Sequence, residues 1–181
     1  QGYISYNKGA LALYALQDIV GEDVINQGLR NFLARYGMKP APFPTSRDLI
    51  NELRAVAGPE YQQLITDLFE KIVLFDLTAD SASVRQLDDG YEVTISLTAR
   101  QLESDERGRE TEVSLNNWFD IALFPEPSED LDGVTPIHMK KYRLHSGQQT
   151  ITVKTREKPG IVALDPFHKM IERTPGDNIT T

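Results

Sequence analysis

The sequence predicts an α+β fold, with an antiparallel helical segment of about four helices followed by a small antiparallel β-sandwich. Two observations predict this fold. Apolar residues recur at helical spacing up to about residue 76, and after that point they alternate with polar residues. The change of period divides the 181 residues into a helical segment, residues 1–76, and a β domain, residues 77–181. A chain of this length suits one large or two small domains.

The first two helices are predicted over residues 6–20 and 22–36. The first is apolar on nearly all sides, so we expect it to be buried on most of its surface. The second carries one apolar stripe, which is typical of a helix with one face on a core. Gly37 follows it, and a glycine at this position is expected in the left-handed conformation that ends many helices.

The third helix is predicted to begin at Thr45. Asp48 stands three residues later, which is a variant of the capping box that satisfies the first backbone N–H groups of a helix. Pro59 then suits the first turn of a fourth helix. Because the connections are short, the four helices are expected to form two antiparallel pairs.

The β domain is predicted to contain five to seven short antiparallel strands. Its clearest strand alternates apolar and polar side chains from Tyr91 to Ala99. The other expected elements are a hairpin loop over residues 103–110, a return strand over 113–123, a hairpin of 137–144 with 150–155 around Ser146-Gly147, and a strand over 161–164.

The composition indicates a soluble domain and excludes several functions. The formal net charge is −8 and the pI is about 4.9, which argues against nucleic acid and anionic membranes as partners because both require basic surface. Cysteine is absent, so disulfides and thiolate chemistry are excluded. No apolar stretch reaches the roughly 20 residues that cross a bilayer, so we expect no direct membrane insertion by this chain.

Candidate chemistry begins with the tetrapeptide Tyr6-Asn7-Lys8-Gly9, which runs directly into the first apolar helix. In a purely structural interpretation, Tyr6 packs at the start of the helix with its hydroxyl at the surface. Lys8 is expected to be exposed, or else to pair with a carboxylate from another part of the protein. Gly9 would allow a close helix approach or the turn before the helix.

The tetrapeptide resembles the tyrosine element of zinc aminopeptidases of the aminopeptidase N (membrane alanyl aminopeptidase, gluzincin) family. The similarity covers about residues 2–75 and depends on the order and spacing of several short strings. After the tetrapeptide these strings are Leu13-Tyr14-Ala15-Leu16, Gly21-Glu22-Asp23, Leu29-Arg30-Asn31-Phe32-Leu33 with Tyr36, and Thr45-Ser46-Arg47-Asp48-Leu49.

The resemblance implies that Tyr6 is a catalytic residue whose hydroxyl donates to the oxyanion formed during peptide hydrolysis. It implies a parent enzyme that hydrolyses N-terminal peptide bonds, with zinc as cofactor and a glutamate outside this chain as general base. The family's His-Glu-x-x-His motif does not occur in the sequence. We therefore expect a C-terminal fragment that holds no zinc, is inactive alone, and has the upstream catalytic domain as its partner, with the peptide substrate bound in the parent.

The end of the chain resembles, more loosely, the tail of bacterial membrane proteins that fuse an ABC-transporter-type permease to an aminopeptidase-like domain. This resemblance implies a parent that is an integral membrane protein, with the present chain as its soluble tail on an unspecified side. The strings that carry it are Ala163-Leu164-Asp165-Pro166, Ile171-Glu172-Arg173 and Gly176-Asp177-Asn178, together with Ala15-Leu16-Gln17-Asp18 in the first helix.

Two other interpretations stay open. In the first, the chain is a non-catalytic interaction or structural tail, a pseudo-peptidase, of a membrane transport protein. In the second, it is an independent scaffold unrelated to peptidases. Presence of both histidines and the glutamate of the zinc motif upstream would distinguish the enzyme from the pseudo-peptidase.

The histidines do not suggest a metal site within this chain. His138 and His145 are an odd number of positions apart in one predicted strand, which places them on opposite faces. His168 lies near the C-terminus, whereas zinc ligands usually occur four residues apart on a helix or in short clusters. The acidic loop around residues 130–133 lacks most of the ligand pattern of a calcium loop.

Overall fold

The computed structural model describes residues 8–125, 131 and 133–181. Within these residues four α-helices precede eight β-strands, so the predicted α+β fold class is confirmed. The helices are α1 Gly9–Val20, α2 Glu22–Tyr36, α3 Ser46–Val56 and α4 Gln62–Phe69, with a short 3-10 helix Pro59–Tyr61 before α4. The strands are β1 Ile72–Leu87, β2 Gly90–Ser104, β3 Glu110–Val113, β4 Asn116–Phe124, β5 His138–His145, β6 Gly147–Thr155, β7 Ile161–Leu164 and β8 Ile179–Thr180.

The chain divides into two compact units, Gln1–Ile72 and Val73–Thr181, called here the helical unit and the β unit. The core of the helical unit contains the fully buried side chains of Leu16, Leu53 and Ile65. Helices α2 and α3 approach closely at Gly28. A Cβ atom added at Gly28 would lie 2.9 Å from Cδ2 of Leu53, so this position of α2 excludes a side chain.

Helix α2 ends at Tyr36, but the expectation of a left-handed Gly37 is wrong. Gly37 is extended, with φ −61° and ψ 135°, and the positive φ of 55° falls on Met38. The amide of Gly37 donates to the carbonyl oxygen of Leu33 at 2.7 Å. A Cβ atom at Gly37 would lie 2.5 Å from that same oxygen, so the missing side chain is what permits this helix end.

Strand β1 is not among the strands predicted from the sequence. Its first half does alternate, with Val73, Phe75 and Leu77 buried between less buried neighbours. Leu74 obscures this alternation because it is apolar but faces outward. After Asp80 most of the strand is exposed on both faces, so no hydrophobic pattern marks it there.

The β unit contains two four-stranded sheets. In the first sheet β2 lies between β1 on one side and β6 and β3 on the other, and in the second the order is β5-β4-β7-β8. Strand β2 pairs with β6 from Tyr91↔Thr155 to Ala99↔Gly147, antiparallel. The rings of Phe75 and Phe119, from different sheets, meet edge to face with centroids 5.2 Å apart, so the two sheets contact each other as a β-sandwich requires.

Two expected connections are corrected by this topology. The single return strand expected over residues 113–123 is two strands, of which β3 belongs to the first sheet and β4 to the second. The hairpin expected around Ser146-Gly147 does not form, since β5 pairs with β4 while β6 pairs with β2. Both changes of sheet occur side by side, because the amide of Leu115 donates to Oγ of Ser146 at 2.8 Å.

Candidate functional site

Tyr6, the candidate catalytic residue, lies outside the described residues, as does Asn7. The described end of the tetrapeptide is Lys8-Gly9, where α1 begins. Nζ of Lys8 donates to the carbonyl oxygen of Lys71, at 2.9 Å, just beyond the end of α4. Burial lowers the pKa of Lys8. The expectation of an exposed lysine is therefore wrong, because Lys8 ties the start of α1 to the chain that leaves α4.

Gly9 does not mediate a close helix approach. Apart from its chain neighbours and the backbone of its own helix, no heavy atom of the described residues lies within 4 Å of the position that its Cβ atom would occupy, so these residues contradict that interpretation of the glycine. Gly28 makes the close approach between helices that was expected of Gly9.

The predicted capping box at the start of α3 is confirmed. Thr45 donates to Oδ2 of Asp48 from both its amide, at 2.7 Å, and its hydroxyl, at 2.8 Å. These hydrogen bonds lower the pKa of Asp48. The hydroxyl of Tyr36 donates to Oδ1 of the same carboxylate at 3.3 Å, so the end of α2 and the start of α3 meet at one carboxylate. Arg47, in the same turn, is exposed.

A second polar cluster joins α3 to α4. Its centre is Arg54, which donates to the backbone oxygen of Gln62, to the hydroxyl of Thr66 and to the carboxylate of Glu70, all within 3.0 Å. The guanidinium group is mostly buried while Glu70 is nearly half exposed. This cluster supports helix packing, and it holds no group arranged as a nucleophile or base.

The histidines lie apart. Nε2 of His138 is 3.1 Å from the hydroxyl of Tyr142, while His145 and His168 are exposed. Among the described residues no group of three or more His, Asp or Glu side chains could hold a metal ion. Asp130 and Asp132 of the acidic loop lie outside those residues.

The β unit contains a buried ion cluster that the sequence analysis does not predict. Asp120 on β4 is only 4% exposed and forms ion pairs with Nζ of Lys169 at 2.6 Å and Nζ of Lys141 at 2.9 Å. Lys169 is itself buried, and Lys141 is partly exposed. One acidic residue within the apolar run from Trp118 to Phe124 was the available sequence signal.

The turn after β7 completes this cluster. Asp165 has a positive φ of 42° and is 2% exposed. Its carboxylate accepts the amides of Lys169 and Met170, at 3.1 and 2.9 Å, and its own amide donates to the backbone oxygen of Asp120. Burial raises the pKa of Asp165, and the two amides oppose that rise. The cluster fixes the turn at residues 165–170.

Residues 171–180 connect the two sheets. Phe75 of β1 forms a parallel bridge with Glu172, in which the amide of Phe75 donates to Ile171 and the amide of Arg173 donates back to Phe75. A few residues later β8 pairs with β7 in the other sheet. The residues that follow the turn at 165–170 therefore touch β1 first and then β7.

Glu172, which follows the turn, has a carboxyl group whose pKa is raised far above its ordinary value. Its Oε1 accepts the amide of Leu77 at 2.9 Å, and burial raises its pKa to about 7 against the opposing effect of the Leu77 and Thr174 amides. Asp76 adds a small further rise. Asn178, 1% exposed, lies near enough to favour the charged form slightly, without the geometry of a hydrogen bond.

Searches against known proteins give no family for this chain. No protein-family model matches the sequence, and no curated protein matches it significantly. Within the part of the chain that the structure describes, no helix is long and apolar enough to cross a membrane.

Proposed function

We propose that this chain is the C-terminal part of a zinc aminopeptidase of the aminopeptidase N family. Tyr6 would donate a hydrogen bond to the oxyanion that forms when the N-terminal peptide bond of a substrate is attacked. The observation that carries the proposal is the ordered match of short strings from Tyr6 to Leu49. The looser resemblance of the chain's end extends the proposal to a parent that is an integral membrane protein.

The hydrogen bonds within the helical unit support this proposal because they join residues from different matched strings. Tyr36 closes one string, while Thr45 and Asp48 open the next, and all three meet at a single carboxylate. Lys8 of the tetrapeptide is held by the chain after α4. A tyrosine two residues before Lys8 would thus be attached to a helix whose start is fixed, which suits a donor that must keep its position.

The described residues do not fit zinc. Their histidines are dispersed, and no carboxylate joins any of them in a ligand group. The zinc ligands and the general base are therefore proposed for the upstream catalytic domain of the parent. The contribution of this chain to the chemistry is limited to the hydroxyl of Tyr6.

The test is Tyr6→Phe in the full-length parent, which removes the hydroxyl and keeps the ring. We expect kcat on an N-terminal alanyl peptide to fall about 10²–10³-fold, as for the loss of one oxyanion donor, with KM nearly unchanged. Tyr14→Phe is the matched control, because that ring lies on α1 and is 52% exposed. A Tyr6→Phe enzyme with near wild-type kcat would rule out the assigned role.

The alternative is a pseudo-peptidase tail of a membrane transport protein. The sequence upstream of Gln1 distinguishes this alternative from the proposed enzyme. A His-Glu-x-x-His motif with a further glutamate ligand supports the enzyme. Membrane spans leading into a domain without that motif support the non-catalytic tail, and Tyr6 then has only a packing role.

A further inference from the structure

We propose that residues 171–180, called here the closing segment, are held on the first sheet by a proton bound at Glu172, so that this segment docks more tightly as the pH falls. The inference concerns the β unit alone and is independent of the proposed peptidase function. It rests on the surplus of hydrogen-bond acceptors around Glu172 and on the place of the segment between the two sheets.

The buried hydrogen-bond acceptors around Glu172 outnumber the buried donors. Oε2 of Glu172, Oδ1 of Asp177 and both amide atoms of Asn178 are buried and have no hydrogen-bond partner. Three of these four atoms are acceptors when the carboxylates are charged, and only Nδ2 of Asn178 is a donor. A buried acceptor without a donor is costly. A proton on Glu172 turns one acceptor into a donor and reduces the surplus.

The charge next to Glu172 favours the same state. Asp76 on β1 raises the pKa of Glu172 further, and Asp177 in the 3-10 helix Pro175–Asp177 adds a second carboxylate to the closing segment. Arg100 on β2 is already bound by Glu112 and Asp76, and Arg173 in the closing segment pairs with Glu110. A negative charge on Glu172, next to other carboxylates, raises the free energy of the docked state. Protonation of Glu172 removes that cost.

The direction of the pH dependence follows from the pKa of Glu172, which is about 7 when docked and 4.5 for the ordinary group. The docked state holds the proton more tightly than the undocked state. Docking is therefore strongest below pH 4.5, weakens as the pH rises from 4.5 to about 7, and then stays constant.

The first measurement is the titration of the Glu172 carboxyl carbon by NMR in the intact chain, together with hydrogen exchange of two amides. The amides are those of Leu77, which donates to Glu172, and Arg173, which donates to Phe75. Between pH 5 and 8 we expect their protection factors, corrected for intrinsic exchange, to fall about ten- to a hundredfold. This range allows for screening by solvent, because the carboxyl group is partly exposed.

The variant Glu172→Gln keeps the acceptor for Leu77 and carries a permanent donor in place of Oε2. Its protection factors should stay high and independent of pH. Glu106→Gln is the control, since Glu106 is exposed in the β2–β3 turn, and it should behave as wild type.

Three results would overturn the proposal. The first is a Glu172 that titrates near its ordinary pKa in the folded chain, which is decisive even if the glutamine variant fails to fold. The second is a Glu172→Gln chain with the wild-type pH dependence. The third is restoration of the protection at pH 8 by added Ca²⁺, because the acceptors would then bind a cation in place of a proton.

Discussion

Ion pairs of the two units differ in how deeply both partners are buried. In the helical unit Arg54–Glu70 leaves its carboxylate side chain 46% exposed, and Arg35–Glu52 joins a buried carboxylate to an arginine that is 65% exposed, so each pair has one partner open to water. In the β unit Asp120 and Lys169 are 4% and 8% exposed and face each other at 2.6 Å. The first kind of pair adds little to stability because water and salt screen it. The second is costly to break, since either partner alone would be a buried, uncompensated charge.

The largest difference between the two kinds of ion pair is expected from a substitution of Lys169. Lys169→Ala leaves Asp120 buried with only the partly exposed Lys141, and we expect the free energy of unfolding of the β unit to fall by about 3–5 kcal/mol. Denaturant unfolding can be followed by fluorescence of Trp118, which is the single tryptophan of the chain and lies on the same strand as Asp120.

The matched control for that change lies in the helical unit. Glu70→Ala removes the exposed half of a pair and should cost at most about 1 kcal/mol. The combined change Asp120→Leu with Lys169→Met should recover most of the loss, because an apolar pair of similar size removes both buried charges. Equal losses for Lys169→Ala and Glu70→Ala would contradict the comparison.

In the helical unit the close approach of α2 and α3 at Gly28 offers a test of packing to set beside the test of the buried ion pair. Gly28→Val places side-chain atoms against Leu53 and Val56, and we expect a loss of about 1–3 kcal/mol from overpacking. Gly9→Val is the control, because the space beside Gly9 is open. Circular dichroism at 222 nm during denaturant unfolding measures both, and a Gly28→Val chain as stable as Gly9→Val would show that α2 and α3 can separate without cost.

An effect smaller than that of Gly28→Val is expected at the capping box. Thr45→Ala removes the side chain at the start of α3, and the loss of an N-cap costs about 0.5–2 kcal/mol. Thr45→Ser keeps the hydroxyl and should remain close to wild type. The measurement is the thermal midpoint of the helical signal, and a serine variant as destabilised as the alanine variant would show that the methyl group, not the hydroxyl, stabilises the helix.

The helices could be read from the sequence because their signals are local. The capping box at Thr45 and Asp48 spans four residues, and the end of α2 is marked by the adjacent Gly37. Gly37 was assigned the wrong backbone conformation, because the identity of a residue shows that the helix ends but not which of two neighbours takes the positive φ.

The strand pairing and the buried clusters could not be read in this way. Nothing near Ser146 distinguishes a hairpin from a chain that changes sheets, since the choice depends on which strands are already paired. Glu172 acquires its environment from Leu77, which is 95 residues away in the sequence. Tyr6 lies outside the described residues, so its assigned role stays a prediction.

The bridge between Phe75 and Glu172 also has a consequence for the order in which the first sheet is covered during synthesis. The Leu77–Glu172 contact spans 95 residues, so at about 5–20 residues per second a ribosome needs roughly 5–20 s to deliver the closing segment after β1 has emerged. During that interval the outer edge of β1 offers unpaired backbone groups to any neighbouring chain. Residues 171–173 therefore cover this part of the β1 edge only after the intervening strands have been synthesised.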